Sequence, residues 1–233
     1  MISIIVPTCD LYKDLISPYK YLMEKYWAGY YKTYVVGFSK PEDVEFNEHF
    51  NFVSLGKTEI PWSNRLIYIL NKIPDKFFIL LLEDYFISQT IDADEIWKRF
   101  RYLKQHLNVG KMDLSTQIAH HKNKGQFLNS DYVYADMAHA EYLCSFQPAI
   151  WNKAFFLRFI LPNWNAWQTE VGMSRRCNSE YKDGFMIGND KHVMPNVNAV
   201  LKGKANVNGL KGMENWQSIP NIDKILNMNY RVK

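Results

Sequence analysis

The chain has 233 residues and a mass of 27.5 kDa, enough for one large domain with an extensive core. Hydrophobic residues make up 47% and charged residues 22%, a balance that excludes wholesale disorder. The net charge of +4 is small and the Lys and Arg residues are scattered, which argues against a dedicated nucleic-acid binder but leaves room for a local phosphate pocket.

Residues 2–6, ISIIV, read as a first strand that Pro7 interrupts, followed by the polar loop Thr8-Cys9-Asp10. Ser17 can cap the next helix, with Pro18 in its first turn and Tyr19, Leu22, Met23 and Tyr26 as its apolar stripe. Residues 32–38 form a second strand and 50–55 a shorter third. Ser63 begins a second helix, whose Leu66, Ile67, Leu70 and Ile73 share one face, and Pro74-Asp75 turns the chain into KFFILLLEDYF, residues 76–86. The six apolar residues 77–82 do not alternate with polar ones, as fits a strand buried on both faces of a parallel sheet. That strand delivers Glu83 and Asp84 side by side at its exit. Asp92 then caps an amphipathic helix of Ile96, Trp97, Phe100 and Leu103. Alternation of this kind through about residue 105 predicts a mostly parallel sheet with helices on its faces.

The second half changes character. Residues 112–119 and 127–134 read as strands of mixed polarity, with turn chemistry at Asn129-Ser130-Asp131, so a hairpin-like insertion is expected. Residues 141–146 read as a further strand, and Asn152 as the cap of an apolar helix over 154–160 that Pro162 ends. A helix over about 165–176 carries Trp167, Glu170, Val171 and Ser174, and a loop-rich tail follows. Cys9, Cys144 and Cys177 are odd in number and lack metal-ligand or CxxC spacing, which points to a reduced, cytoplasmic chain. His120-His121 and His139 show no zinc spacing. No apolar run approaches the roughly 20 residues of a transmembrane segment, so contact with a membrane is at most peripheral.

Ligands of open α/β sheets bind outside the carboxyl ends of strands, where paired acids can hold a divalent cation against a phosphate-bearing substrate. The same dipeptide can equally be a solvated turn. Taken together and in order, ISIIVPT, WSNRL, LLLEDYF, SFQPAIWNK and WNAWQTE resemble the nucleotide-sugar-dependent glycosyltransferases of the GT-A fold. The resemblance covers most of the chain. It implies an α/β fold with a mixed, mostly parallel central sheet, flanking helices and a small antiparallel hairpin element. It also implies a single domain over residues 1–233, with a nucleotide-sugar-binding half to about 105 and an acceptor-binding half beyond, ending in a flexible loop. The activity implied is transfer of a hexose-type sugar from a nucleotide diphosphate, a UDP-sugar being favoured, to a carbohydrate hydroxyl, assisted by Mn²⁺ or Mg²⁺. The chain departs from the pattern at Tyr85, which stands where a third-position acid is usual.

Residue by residue, the resemblance makes Asp84 the leading metal contact, Glu83 a second, and His192 a candidate ligand from the tail. Thr8 and Asp10 fall where uracil and ribose are contacted. Arg65 can reach a diphosphate through its planar guanidinium, and Lys204 can close over it from the tail. Gln147, Trp151 and Trp167 line the acceptor side. Glu170 is the base for the acceptor hydroxyl, with Trp167 one helical turn before it, where the indole can stack on a sugar and desolvate the acid. Structural uses compete at several positions: capping for Ser63 and Asp10, core packing for Trp151, and a surface ion pair with Arg175 or Lys153 for Glu170. Two other classes share part of this pattern. A sugar-phosphate nucleotidyltransferase would ordinarily carry a glycine-rich loop after the first strand, and residues 8–12 contain no glycine. A non-catalytic carbohydrate-binding protein would use the 15% of aromatic residues but leaves the strand-exit acids unexplained.

Overall fold

A computed structural model describes residues 2–56, 59–116, 124–127, 132–135, 137–138, 140, 142–189 and 191–229. The chain forms two compact units from interleaved stretches. The first comprises Met1–Ile5, Glu59–Leu81 and Asp94–Val193, and the second Val6–Thr58, Leu82–Ala93 and Met194–Lys233.

Seven strands form the sheet of the first unit, in the order β1 (Ile2–Pro7), β4 (Phe77–Leu80), β9 (Ala149–Asn152), β6 (Val109–Asp113), β10 (Phe185–Asn189), β8 (Tyr132–Ala135) and β7 (Lys124–Phe127). β1 pairs parallel with β4, and β6 with β10, whereas β9 runs against β4 and β6, and β8 against β10 and β7. Five of the seven, β1, β4, β6, β7 and β10, therefore point one way, and the sheet is mixed and mostly parallel, with β7 and β8 as its antiparallel hairpin. β4 is buried along its whole length, as its unbroken apolar sequence requires. Helix α2 (Trp62–Lys72) buries Leu66, Ile69 and Leu70, and α3 (Ala93–Gln105) buries Ile96, Phe100 and Leu103. Helix α4 (Lys153–Phe159) starts where the Asn152 side chain accepts from the Ala154 and Phe155 amides. Helix α5 (Ala166–Glu180) starts with a capping box between Asn165 and Gln168. The core is strongly aromatic: Trp151 and Phe78 both meet Phe156 edge-on, at ring separations of 5.0 and 5.2 Å. Each such side chain contributes roughly 1.5–3 kcal/mol on burial.

In the second unit, β2 (Thr33–Gly37) pairs parallel with β3 (Phe50–Ser54). Helix α1 (Ile16–Tyr26) packs on β5 (Tyr85–Ile87), which pairs antiparallel with β11 (Asn196–Asn198). A tight hairpin joins β12 (Val200–Leu201) to β13 (Lys204–Ala205) through Lys202 and Gly203, whose φ values of 51° and 72° give the left-handed turn that two-residue hairpins favour. Two short helices follow, α6 (Val207–Lys211) and α7 (Ile222–Asn227). Among the described residues no helix is long and apolar enough to cross a membrane.

Several local expectations are corrected. Helix α1 begins at Ile16, before Ser17, because a 3-10 turn over Lys13–Leu15 runs straight into it and no side chain caps it. Helix α2 begins at Trp62 after Pro61; the Ser63 hydroxyl instead accepts from the Trp164 amide at 3.0 Å. Residues 142–146 are turn and coil, not strand, because the Cys144 and Phe146 amides are taken by side chains of α5. The tail is more ordered than its composition suggests: β10 joins the main sheet, and β11 to β13, α6 and α7 follow. The expected turn at 129–131, the histidines at 120, 121 and 139, and Glu141 lie outside the described residues.

Candidate functional site

In the second unit the ends of β1 and β4 shape one cluster. Leaving β1, Thr8 donates its amide to the Val36 carbonyl at 2.8 Å, and its hydroxyl donates weakly to the Cys9 carbonyl at 3.4 Å. A Cβ on Gly37 would stand 2.7 Å from the Thr8 methyl, so only glycine lets β2 run this close to the loop. Asp10 accepts from the Ser39 amide at 2.9 Å and the Ser39 hydroxyl at 2.8 Å, which pins the loop after β1 to the loop after β2.

Glu83 and Asp84 occupy the turn after β4, closed by the Tyr85 amide donating to the Leu82 carbonyl at 3.0 Å. The Asp84 carbonyl accepts from the Ala199 amide at 2.6 Å, so the turn is fixed against the residue that links β11 to β12. Both acids are half-buried. Burial holds the Asp84 carboxyl up at about 6, although a hydrogen bond from its own amide favours the charge. Burial, together with the charges of Glu83 and Asp84, pushes the Tyr12 phenol up to about 12. Burial and the Glu83 charge raise the Tyr19 phenol further still. The corner is thus rich in oxygen and negative in potential. Among the described residues no group of three or more His, Cys, Asp or Glu side chains is gathered as a metal site. Lys204 is exposed on its hairpin strand, bridged to Asn229.

In the first unit a second cluster forms around α5. Glu170 Oε1 accepts from the Phe146 amide at 2.6 Å; burial raises its carboxyl above the ordinary range, opposed by that hydrogen bond and by the Lys111 charge. The next turns of the same face continue the grip. Ser174 accepts from the Cys144 amide at 2.9 Å, the Cys177 and Cys144 sulfurs lie 3.6 Å apart, and the Asn178 amide donates to the Ala140 carbonyl at 3.2 Å. Positions 170, 174, 177 and 178 recur at helical spacing, so one stripe of α5 holds Ala140, Cys144 and Phe146 in place. Trp62 stacks on Phe146 with ring centroids 4.8 Å apart, half-buried. Gln147 is half-buried beside it in sequence, its amide donating to the Ser145 hydroxyl at 3.3 Å.

Trp167 is 61% exposed, whereas Glu170, a turn later, is half-buried with its Oε1 on the Phe146 amide. Trp151 is wholly buried between Phe155, Phe156 and the Lys111 ammonium, which removes it from the acceptor-facing set: a side chain in mid-sheet has no surface to offer. Arg65 is 7% exposed and turned along its own chain, donating to the Ile60 carbonyl at 3.1 Å with Glu59 at 3.3 Å. His192 is exposed, next to Val193, whose amide donates to the Leu114 carbonyl at 3.0 Å. Trp62 entered the expectation only within the segment WSNRL, and Tyr12, Lys111 and Asp113 had no expected role. The last two carried a signal: opposite charges two residues apart in the strand VGKMD point to one face of a strand that is otherwise apolar.

No family model and no curated protein matches the chain. Solved structures do. A mannosyltransferase from Pyrobaculum calidifontis, PcManGT, in complex with GDP-Man and Mn²⁺, is 13% identical over 87% of this chain and 58% of its own, with a TM-score of 0.55. TarS from S. aureus, residues 1–349, is 13% identical over 82% of this chain and 58% of its own, at 0.52. A UDP-glucose pyrophosphorylase complexed with UDP-glucose is 11% identical over 84% of this chain and 92% of its own, at 0.51. The chain has the nucleotide-sugar glycosyltransferase-like fold, which nucleotidyltransferases share, and it spans less than two thirds of the length of the two glycosyltransferases.

Proposed function

We propose that the protein is a glycosyltransferase that moves a sugar from a nucleoside diphosphate to a carbohydrate hydroxyl with inversion. The observation that carries this reading is the turn after β4, where a buried strand presents two adjacent carboxylates among phenolic oxygens. Asp84 is disfavoured as a charge by its burial. That donor set suits Mg²⁺ or Mn²⁺, which prefer oxygen ligands and use diphosphate oxygens to complete their shell. Asp84 would be the direct ligand and Glu83 the second. Bound there, the cation would offset the charge gathering on the departing diphosphate.

Thr8 and Asp10 would contact base and ribose, each Asp10 oxygen keeping a lone pair beyond its Ser39 bond. Arg65 and Lys204 are the cations for the diphosphate, Arg65 by exchanging its bond to exposed Glu59. On the acceptor side, Gln147 would read hydroxyls, while Trp167 and the Trp62 face offer ring surfaces. Glu170 spends Oε1 on Phe146, which leaves Oε2 for the acceptor proton. In the transfer the anomeric carbon's bond to the diphosphate oxygen breaks, its electrons leaving with the nucleotide. A bond to the acceptor oxygen forms on the opposite face as that oxygen loses its proton to Glu170. The bound GDP-Man and UDP-glucose of the similar structures support a nucleotide-sugar ligand. Three free cysteines suit a reducing compartment such as the cytoplasm.

The test is product analysis with UDP- and GDP-sugars, Mn²⁺ and an oligosaccharide panel. Nucleoside diphosphate released only when a saccharide acceptor is present supports glycosyl transfer. Pyrophosphate released from a nucleoside triphosphate and a sugar 1-phosphate would replace this reading with nucleotidyl transfer.

A further inference from the structure

Lys111 is 1% exposed in mid-strand, an environment that a lysine enters only with its charge satisfied. Its ammonium stands 2.8 Å from Asp113, itself 1% exposed, and 3.5 Å from the Leu143 carbonyl, with the Trp151 ring 5.1 Å away. Removing two charges from water costs more than one such pair returns, so stability alone is a poor reason to keep it. The pair lies against the segment that Glu170 holds: Leu143 receives the ammonium, and Phe146, three residues on, donates to the Glu170 carboxylate. The Lys111 ammonium and the Glu170 carboxylate thus meet the two ends of one short segment, residues 143–146.

We propose that Lys111 is a positioning residue for Glu170, the fixed positive charge that keeps this carboxylate in its ionised, proton-accepting form. The proposal rests on the reading of Glu170 as the base. Among the described residues, several other ionisable groups around α5 are committed elsewhere or neutral, and Arg175 is exposed. Arg65 of α2 turns to Ile60 and Glu59, and Arg176 of α5 to Phe159 and Glu180. The Cys177 thiol, hydrogen-bonded to Cys144 and buried, is held protonated. Asp113 is the competitor, its carboxyl raised by burial and lowered by Lys111. The Phe146 amide and the Lys111 charge are both set against the burial of Glu170. When Glu170 accepts the acceptor's proton, the ammonium is left to Asp113 alone, so no step leaves it unpaired.

The experiment follows the Glu170 carboxyl carbon by NMR in ¹³C-glutamate-labelled protein, assigned with Glu170→Gln, alongside the pH profile of sugar transfer. Lys111→Met combined with Asp113→Asn removes both charges while leaving no carboxylate buried alone. The Glu170 midpoint is expected to rise, the direction that loss of an opposite charge gives. Lys111→Arg should keep it near its original value. An unchanged or lowered midpoint in the double variant overturns the proposal. If the double variant does not fold, Asp113→Asn alone decides: it frees the ammonium for Glu170, so the midpoint falls, and a midpoint that stays or rises overturns the proposal. If the midpoint moves as expected while the acid limb of transfer does not follow, Lys111 still sets the Glu170 charge, but Glu170 is not the base.

Discussion

Replacing Asp84 by Asn should make the cation-free protein more stable at pH 7.5 while removing its transfer activity. A carboxyl whose acidity is weakened on folding stabilises most while protonated, below its ordinary value of 3.8, and loses that contribution as the pH climbs through about 6. The difference between those two values, at 1.36 kcal/mol for each tenfold change in proton affinity, is about 3 kcal/mol against the ionised form at neutral pH. Asn keeps the shape and the backbone bond to Ala199 but carries no charge to desolvate. Allowing for relaxation, a gain of about 1–3 kcal/mol is expected, or roughly 2–10 °C in melting temperature for a chain of this size. Scanning calorimetry in EDTA at pH 7.5 and at pH 4 measures it: the gain should be large at the first and shrink toward the second. A variant less stable than the parent at pH 7.5, or equally shifted at both, would refute the reasoning.

Glu170→Gln should keep nucleotide binding, measured by calorimetric titration, while lowering acceptor-dependent transfer by about 10²–10⁴-fold, the usual worth of a general base. Its stability should fall by no more than about 1–2 kcal/mol, because the amide oxygen can still accept from Phe146. Trp151→Ala should cost about 3–5 kcal/mol in urea unfolding, as expected for an aromatic side chain lost from a packed core. Trp167→Ala, at a position 61% exposed, should change stability by less than about 0.5 kcal/mol and, if the ring meets the acceptor, raise the acceptor KM.

The βα alternation of the first hundred residues was legible because each element carries its own period and punctuation, as in the unbroken run of β4 or the spaced apolar face of α2. Where side chains compete with backbone partners, the pattern misled. Residues 142–146 look like a strand, yet their amides are claimed by Ser174 and Glu170, some 30 positions away in one case and 24 in the other. Ser63 looks like a cap, yet it serves a loop a hundred residues on. Such partners are invisible to a local reading. The carboxylates at 83 and 84 stood out because a strand exit narrows where an acid can be used, and Glu170 because its segment, WNAWQTE, resembles the glycosyltransferases. Lys111 and Asp113 were passed over because a charge in a strand reads as solvent-facing until the burial of β6 is known. Trp151 shows the opposite failure: an aromatic residue advertises a sugar platform and a core with equal force, and only its depth decides.

The most direct measurement is calorimetric titration of UDP and GDP into the parent protein and into Asp84→Asn, each with and without Mn²⁺. One nucleotide should bind the parent at least about tenfold more tightly when Mn²⁺ is present, and that gain should vanish in the variant, since a tenfold loss corresponds to about 1.4 kcal/mol at the shared cation. Equal gains from Mn²⁺ in both proteins, or no binding of either nucleotide to the parent, would contradict the assignment of the turn after β4 as a cation-assisted diphosphate site.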